Sequence, residues 1–315
     1  VTTLLVSQPN FADHQTPQGH PERADRIRAV EEALSRPRFD KLKRREAPTG
    51  DLMLAELVHD GRYLDILRRA RPAEGIGQIE ADTFISATSL ATVTSGLGGA
   101  LHALDAVLLG EVDNAFCAIR PPGHHAEIAR PMGFCLINTV AIVAREAQRK
   151  YGAERMAIID FDVHHGNGTQ DIFKADPSVF YASSHQMPLY PGTGRADETG
   201  VGNISNAPLD PQTDGQTMRE AYLERIIPDL VNFSPDLLLI SAGFDAHERD
   251  PLAQLNWQSG DYGWLTGKLM DVAERYCGNR IVSLLEGGYD LKGLAGGVSN
   301  HVAMLMDGAV GRLDD

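Results

Sequence analysis

Residues 157–167, AIIDFDVHHGN, hold the densest chemistry in the chain. The segment begins apolar, as a buried strand does, and turns acidic and histidine-rich within a few residues. Side chains of an extended backbone alternate between faces, so Asp160, Asp162 and His164 are expected to point the same way. Two carboxylates and an imidazole so placed can converge on one cation. Polar groups packed this densely behind a buried strand are costly unless a metal or hydrogen bonds satisfy them. One Asp at a strand end would read as a solvated charge; D-x-D-x-H-H-G-N on an apolar strand reads as a metal site.

A third ligand is expected from a neighbouring strand, and AGFDAHERDP after Ser241 offers Asp245, His247 and Asp250. An Asp-His-Asp set with an open fourth position suits a catalytic divalent ion. Zinc fits such a mixed nitrogen and oxygen set, and ferrous iron or cobalt can also bind one. His247 is read as a loop residue making ordinary hydrogen bonds. In RPPGHHAE, Pro121, Pro122 and Gly123 kink the chain before His124 and His125. Two imidazoles facing one site can supply a base for water and an acid for a leaving amine. Each needs an orienting partner, and Asp160 and Asn167 are the candidates. In EGGYD, two glycines permit close backbone approach, and Tyr289 can donate to a developing oxyanion. Phe134, beside Gly133, and Tyr190 are candidates for an apolar channel wall, with core packing equally compatible.

The elements that must position these residues follow a strand–loop–helix rhythm. Strands are expected at 2–7, 114–119, 156–159, 179–183, 237–241 and 280–285. Helices are expected at 20–35, 56–70, 91–109, 138–151, 217–233, 261–277 and 297–306, with a short helical turn at 171–173. Residues 71–77 and 186–202 read as loops. The strands are apolar throughout rather than alternating, which implies a parallel sheet covered on both faces. The fold class is therefore α/β, a three-layer α/β/α arrangement with a mainly parallel sheet. No repeat or low-complexity linker divides the 315 residues, and they read as one domain. Four strands are each followed by a polar, glycine-marked loop: RPPGHH, DFDVHHGN, AGFDAHERDP and EGGYD. In open parallel sheets ligands bind beyond the carboxyl ends of the strands, so all four loops are expected along one edge.

A formal net charge of −14 argues against a nucleic-acid partner. It would suit a cationic substrate, though an acidic average is equally an ordinary solvated surface. Cys117, Cys135 and Cys277 are odd in number and widely spaced, which indicates neither a disulfide framework nor a cysteine zinc site. They fit a reducing compartment, with the cytoplasm the expected location. The opening VTTLLVSQPNF lacks the basic region of a signal peptide, and no apolar run is long enough for a membrane span.

The motifs RPPGHHAE, MGFCLIN, DFDVHHGNGTQDIF, YPGTG, SAGFDAHERDPL and LEGGYD, in this order, resemble the zinc-dependent histone deacetylase family. That family includes acetylpolyamine amidohydrolases and bacterial deacetylase homologues. The resemblance runs from His20-Pro21-Glu22-Arg23 to about Asp290 and implies the arginase-like fold. It implies one Zn²⁺ on Asp162, His164 and Asp250, with Asp245 outside the ligand set. His125 matches the general base and acid, and His124 its electrostatic partner, held by Asp160. Tyr289 matches the carbonyl-polarising phenol, and Gly133, Phe134 and Tyr190 the acyl-lysine tunnel. An inner K⁺ is implied at Asp160, Asp162, His164, Ser183 and Ser184, and an outer K⁺ on the carbonyls of Phe173, Asp176 and Val179. Arg23 matches a residue of an internal channel that releases acetate. The implied reaction is hydrolysis of an N-acyl amide, with an acetylated lysine side chain or an acetylated polyamine as substrate.

The chain departs from the family in places. Asn167 stands where class I members carry Asp, and a neutral partner supports an imidazolium less than a carboxylate does, so a lower pKa is expected for His125. Tyr190 replaces the commoner Phe, and Trp257 is expected to shape either the acyl pocket or its rim. Two rival readings remain. An arginase-like enzyme would need two metals and a further carboxylate near Gly166-Asn167. A silent acyl-lysine-binding protein would not need His124, His125 and Tyr289, all of which are present.

Overall fold

The structure, a computed structural model, describes residues 1–307. Its strands are β1 (Thr3–Ser7), β2 (Lys43–Glu46), β3 (Ile76–Gln78), β4 (Phe84–Ser86), β5 (Asn114–Ala118), β6 (Met156–Asp160), β7 (Val179–Gln186), β8 (Ile204–Leu209), β9 (Leu237–Ala242) and β10 (Ile281–Leu285). Its helices are α1 (Asp25–Leu34), α2 (Tyr63–Ala70), α3 (Ser89–Leu108), α4 (Thr139–Tyr151), α5 (Asn167–Phe173), α6 (Gly215–Ala221), α7 (Ile227–Phe233), α8 (Ser259–Cys277) and α9 (Leu291–Asp307). A π turn at Tyr222–Ile226 joins α6 to α7.

Eight strands form one sheet in the order β2-β1-β5-β10-β9-β6-β7-β8, and every pairing is parallel. β3 and β4 make a separate antiparallel pair. The apolar runs explain the layering. In β6, Ala157 and Ile159 pack into one core and Met156 and Ile158 into the other, so a strand apolar at every position serves both faces. The small residues of α3 serve close packing. A Cβ on Gly98 would lie 2.1 Å from the Pro48 carbonyl oxygen.

The strand order decides where the chemistry falls. β5, β10, β9 and β6 are consecutive in the sheet, so the four polar loops emerge side by side at its carboxyl edge. Several elements differ from expectation. β2 is an edge strand of four exposed charged residues, invisible to an apolar criterion. β8 carries polar residues and Pro208 at the opposite edge. The expected helix 56–70 divides into a 3₁₀ segment, Leu52–Leu57, and α2. No helix among the described residues is long and apolar enough to cross a membrane.

Candidate active site

β6 ends at Asp160, and the segment beyond it is not extended. The Asp162 N–H donates to Asp160 Oδ1 at 3.1 Å, and the His164 N–H to Asp162 Oδ1 at 3.0 Å. These are two successive Asx turns, in which a short carboxylate captures the N–H two residues on. Asp160 Oδ2 lies 2.9 Å from His124 Nδ1 and Asp162 Oδ1 lies 3.8 Å from His124 Nε2, so both carboxylates meet that ring. His164 faces the loop after β9.

Among the described residues, Asp162, His164 and Asp245 form a group of potential ligands, with one donor atom from each within 4.8 Å of the others. His164 Nδ1 lies 3.1 Å from Asp162 Oδ1 and 3.2 Å from Asp245 Oδ2. Asp250 stands outside this trio. Its Oδ2 accepts the Tyr289 N–H at 2.7 Å and the Asp290 N–H at 3.2 Å, and its Oδ1 accepts the Leu252 N–H at 3.0 Å. Burial and repulsion from Asp162 push the Asp245 carboxyl up to about 7. Burial disfavours a charged His164, yet Asp162 and Asp245 outweigh it and lift that imidazole to about 10. This buried cluster of carboxylates around an imidazole calls for positive charge, and a divalent cation answers it with ligands of the right chemistry.

The histidine pair is fixed from both sides. Glu286 Oε2, at the end of β10, accepts the Gly123 N–H at 2.6 Å and the His124 N–H at 3.2 Å. Burial opposes charge on His124, but Asp160 and Asp162 raise its pKa well above the usual histidine value. His125 behaves oppositely: burial, then the charge on His124 and on His164, hold it well below that value. Its Nδ1 lies 2.8 Å from Asn167 Oδ1.

Above these groups a cavity of about 210 Å³ is lined by His125, His164, Tyr289, Phe134, Tyr190 and Asp82, among others. The Tyr190 ring meets the His125 ring edge-on at 5.3 Å, and Phe134 meets Tyr289 edge-on at 5.8 Å. Gly133 has φ +56°, and a Cβ there would lie 2.3 Å from His125 Cδ2. Phe134 itself takes φ 67°, a left-handed conformation unusual for an aromatic residue. The β3–β4 hairpin steadies it: Asp82 Oδ1 accepts the Gly133 N–H and Thr83 Oγ1 the Phe134 N–H, both at 3.1 Å. Burial and then Asp82 push the Tyr190 phenol up. Asp82 lies in no motif, and Glu286 stands in EGGYD without a role there; sequence reasoning missed both.

Other expected residues fall as follows. Ser183 lies in register with Asp160 across β6 and β7, and Ser184 Oγ is 2.8 Å from the Tyr222 hydroxyl. The carbonyls of Phe173, Asp176 and Val179 converge on Asn203 Nδ2, at 2.8, 2.9 and 2.7 Å, so its two N–H donors are shared among three acceptors. Arg23 is not internal. Its side chain is 41% exposed and pairs with Asp25 at 3.3 Å, because α1 begins only at Asp25, and it lines an open cavity with Tyr289, Arg249 and Asp290. Arg26, one turn on, is the buried arginine. Trp257 shapes neither pocket nor rim. It is wholly buried, and its backbone bridges to His247 to close the loop that carries Asp250. His247 makes loop hydrogen bonds, with Nε2 3.0 Å from Ser259 Oγ.

Residues 20–305 match the histone deacetylase domain. The chain is 38% identical over 304 residues to "Histone deacetylase 10, chloroplastic" of Oryza sativa subsp. japonica, covering 90% of this chain and 69% of that one. It is 37% identical over 304 residues to a "Probable deacetylase" of Archaeoglobus fulgidus, covering 93% and 83%. Among solved structures, the crystal structure of the HDA15 HD domain superposes with a TM-score of 0.91 at 32% identity, covering 98% of this chain and 89% of that one.

Proposed function

This chain belongs to the histone deacetylase family of amide hydrolases, and from that membership we propose that it hydrolyses Nε-acyl-lysine in proteins or peptides, releasing acetate from the acetyl form. The observation that carries the reading is the single cavity shared by His125, His164 and Tyr289 between the rings of Phe134 and Tyr190. An acyl-lysine is an amide at the end of an apolar stem, and an apolar shaft with a polar floor is complementary to it.

We assign zinc to Asp162, His164 and Asp250. A catalytic ion keeps a coordination position open to the substrate. His164 and Asp250 retain 8% and 7% exposure; Asp162, at 1%, is as sealed as Asp245, which uses its Oδ1 to accept the Val163 N–H at 2.8 Å. When bound, zinc polarises the scissile carbonyl and makes water a stronger acid. An inner potassium ion is assigned to Asp160, Asp162, His164, Ser183 and Ser184. At the outer site we assign the place of the ion to the Asn203 amide, whose Nδ2 lies among the Phe173, Asp176 and Val179 carbonyls.

The remaining work falls to side chains. His125, with Nδ1 engaged by Asn167, presents Nε2 to take a proton from the attacking water. Its depressed pKa keeps it neutral and ready. The same nitrogen then delivers the proton to the leaving amine. His124, protonated beside Asp160, opposes the negative charge that develops during attack. Burial holds the Tyr289 phenol well above its usual pKa, so it remains a hydrogen-bond donor to the oxyanion. We read residues 1–315 as one deacetylase domain and the cytoplasm as its location, given three buried free thiols.

A second reading, hydrolysis of an acetylpolyamine, draws on Asp82, a carboxylate in the cavity lining able to hold a cationic amine. The test is kcat/KM for an acetyl-lysine peptide and for an acetylpolyamine on zinc-loaded protein. Preference for the peptide supports the first reading, preference for the polyamine the second, and activity on neither overturns both.

A further inference from the structure

We propose that Glu127 is a positioning residue that locks the tautomer of His125 through Asn167; the proposal rests on the reading of His125 as the base. The Asn167 side chain bridges two groups. Its Oδ1 lies 2.8 Å from His125 Nδ1, and its Nδ2 donates to Glu127 Oε1 at 2.7 Å and to Met132 Sδ at 3.3 Å.

An asparagine amide is symmetric in shape and opposite in polarity at its two ends. Left to itself beside an imidazole, it can present either end. With oxygen toward Nδ1, the ring carries its proton on Nδ1 and leaves Nε2 free to accept one. With nitrogen toward Nδ1, the ring must protonate Nε2 and cannot act as a base there. A carboxylate only accepts hydrogen bonds, so Glu127 admits only the nitrogen end of Asn167. The oxygen end then faces His125, and the ring is held in the reactive tautomer.

Glu127 is itself anchored through its backbone. Its N–H donates to the Arg130 carbonyl at 2.9 Å, and its carbonyl oxygen lies 2.9 Å from His59 Nδ1. His59 Nε2 in turn accepts the Asn138 N–H at 2.9 Å, at the cap of α4. The carboxylate is therefore presented from a fixed point. It is half-buried behind Asn167, and it is absent from the cavity lining.

A reciprocal rule follows. An aspartate at position 167 accepts from His125 with either oxygen and needs no lock, but beside Glu127 it sets two carboxylates against each other. A carboxylate at position 167 and a carboxylate at position 127 are thus mutually exclusive solutions.

The test uses zinc-loaded protein and the variants Glu127→Gln, Asn167→Asp and the two combined. Glutamine fills the same space but can donate or accept, so the lock is released. In Glu127→Gln, ¹⁵N resonances of His125 are expected to show protonation moving from Nδ1 toward Nε2. Turnover should fall at least roughly tenfold with KM unchanged, because the wrong tautomer is inert. Adding Asn167→Asp to that variant should restore turnover, whereas Asn167→Asp alone should impair it. A Glu127→Gln protein with His125 still protonated only on Nδ1 and full turnover overturns the proposal. So does a double variant slower than Asn167→Asp alone, a comparison that stands even if Glu127→Gln fails to fold. The NMR readout requires no substrate, so failure of the lock is distinguishable from failure of the deacylase reading.

Discussion

The Arg26 guanidinium lies 5.0 Å from the centroid of the Tyr289 ring while its Nε donates to the Gly288 carbonyl at 2.7 Å and its Nη2 to the Glu286 carbonyl. Helix α1 thereby grips the EGGYD turn from below, and the phenol is braced against a cation. Removing Arg26 strands two buried carbonyls and leaves Glu22 without one of its partners. Arg26→Ala is expected to cost about 3 kcal/mol in urea unfolding. Arg23→Ala, at the surface, is expected to stay within about 0.5 kcal/mol.

Tyr289→Phe keeps the ring and its contact with Phe134 but removes the donor. Turnover is expected to fall roughly a hundredfold or more, with zinc content by metal analysis unchanged. Near-normal turnover would remove Tyr289 from the mechanism.

The two carboxylates of the β9 loop are separable by competition with a zinc chelator. Asp250→Asn is expected to weaken zinc binding by at least roughly tenfold, and Asp245→Asn by less. The reverse ranking would transfer the ligand role to Asp245, the residue closer to His164 Nδ1.

Glu22 predicts acid behaviour. Burial raises its pKa, but the two-point contact with Arg120, at 2.7 and 2.6 Å, outweighs this and lowers it from 4.5 to about 2. A carboxyl depressed on folding contributes stability above its unfolded pKa and loses it as pH falls. Between pH 4.5 and about 2 the loss should reach about 3 kcal/mol. Glu22→Gln should lack this limb, so the stability gap between the two proteins narrows as pH falls across that window.

Asn203→Ala opens the convergence of three carbonyls. The variant should lose about 2 kcal/mol, and added K⁺ should recover part of it, with no such K⁺ effect at that site in the parent protein. A variant indifferent to K⁺ would mean that the carbonyls do not form a cation cage.

Much of the site was legible because its chemistry is local in sequence. DFDVHHGN and EGGYD each follow an apolar strand, and strand plus loop is a short-range signal. The strand period carried past Asp160 places Asp160 and Asp162 together, and both meet the His124 ring; the Asx turns that hold them there depend on side-chain capture, which no periodicity shows. Arg23 and Arg26 differ only in where α1 begins, and the boundary decides which one is buried. Asp82, Glu127 and Glu286 act on groups 51, 40 and 163 positions away. Glu127 and Glu286 stand inside RPPGHHAE and EGGYD and Asp82 in no motif, and in none of the three does the local sequence identify a partner at that range. β2 and β8 escaped because edge strands need not be apolar.

The strand order also has a kinetic meaning. β5 pairs with β10, joining Asn114 to Ile281, and β9 inserts between β10 and β6. The central strands bearing the catalytic loops are therefore among the last to find each other during synthesis, since closing such distant pairs is slow. A partly made chain can form the Asp162–His164 turn, yet it has no Asp250, no Tyr289 and no Glu286 to hold the Gly123 and His124 N–H groups. Hydrolytic competence thus arrives with completion of the sheet, and recovery of activity on refolding should track formation of the native core and not precede it.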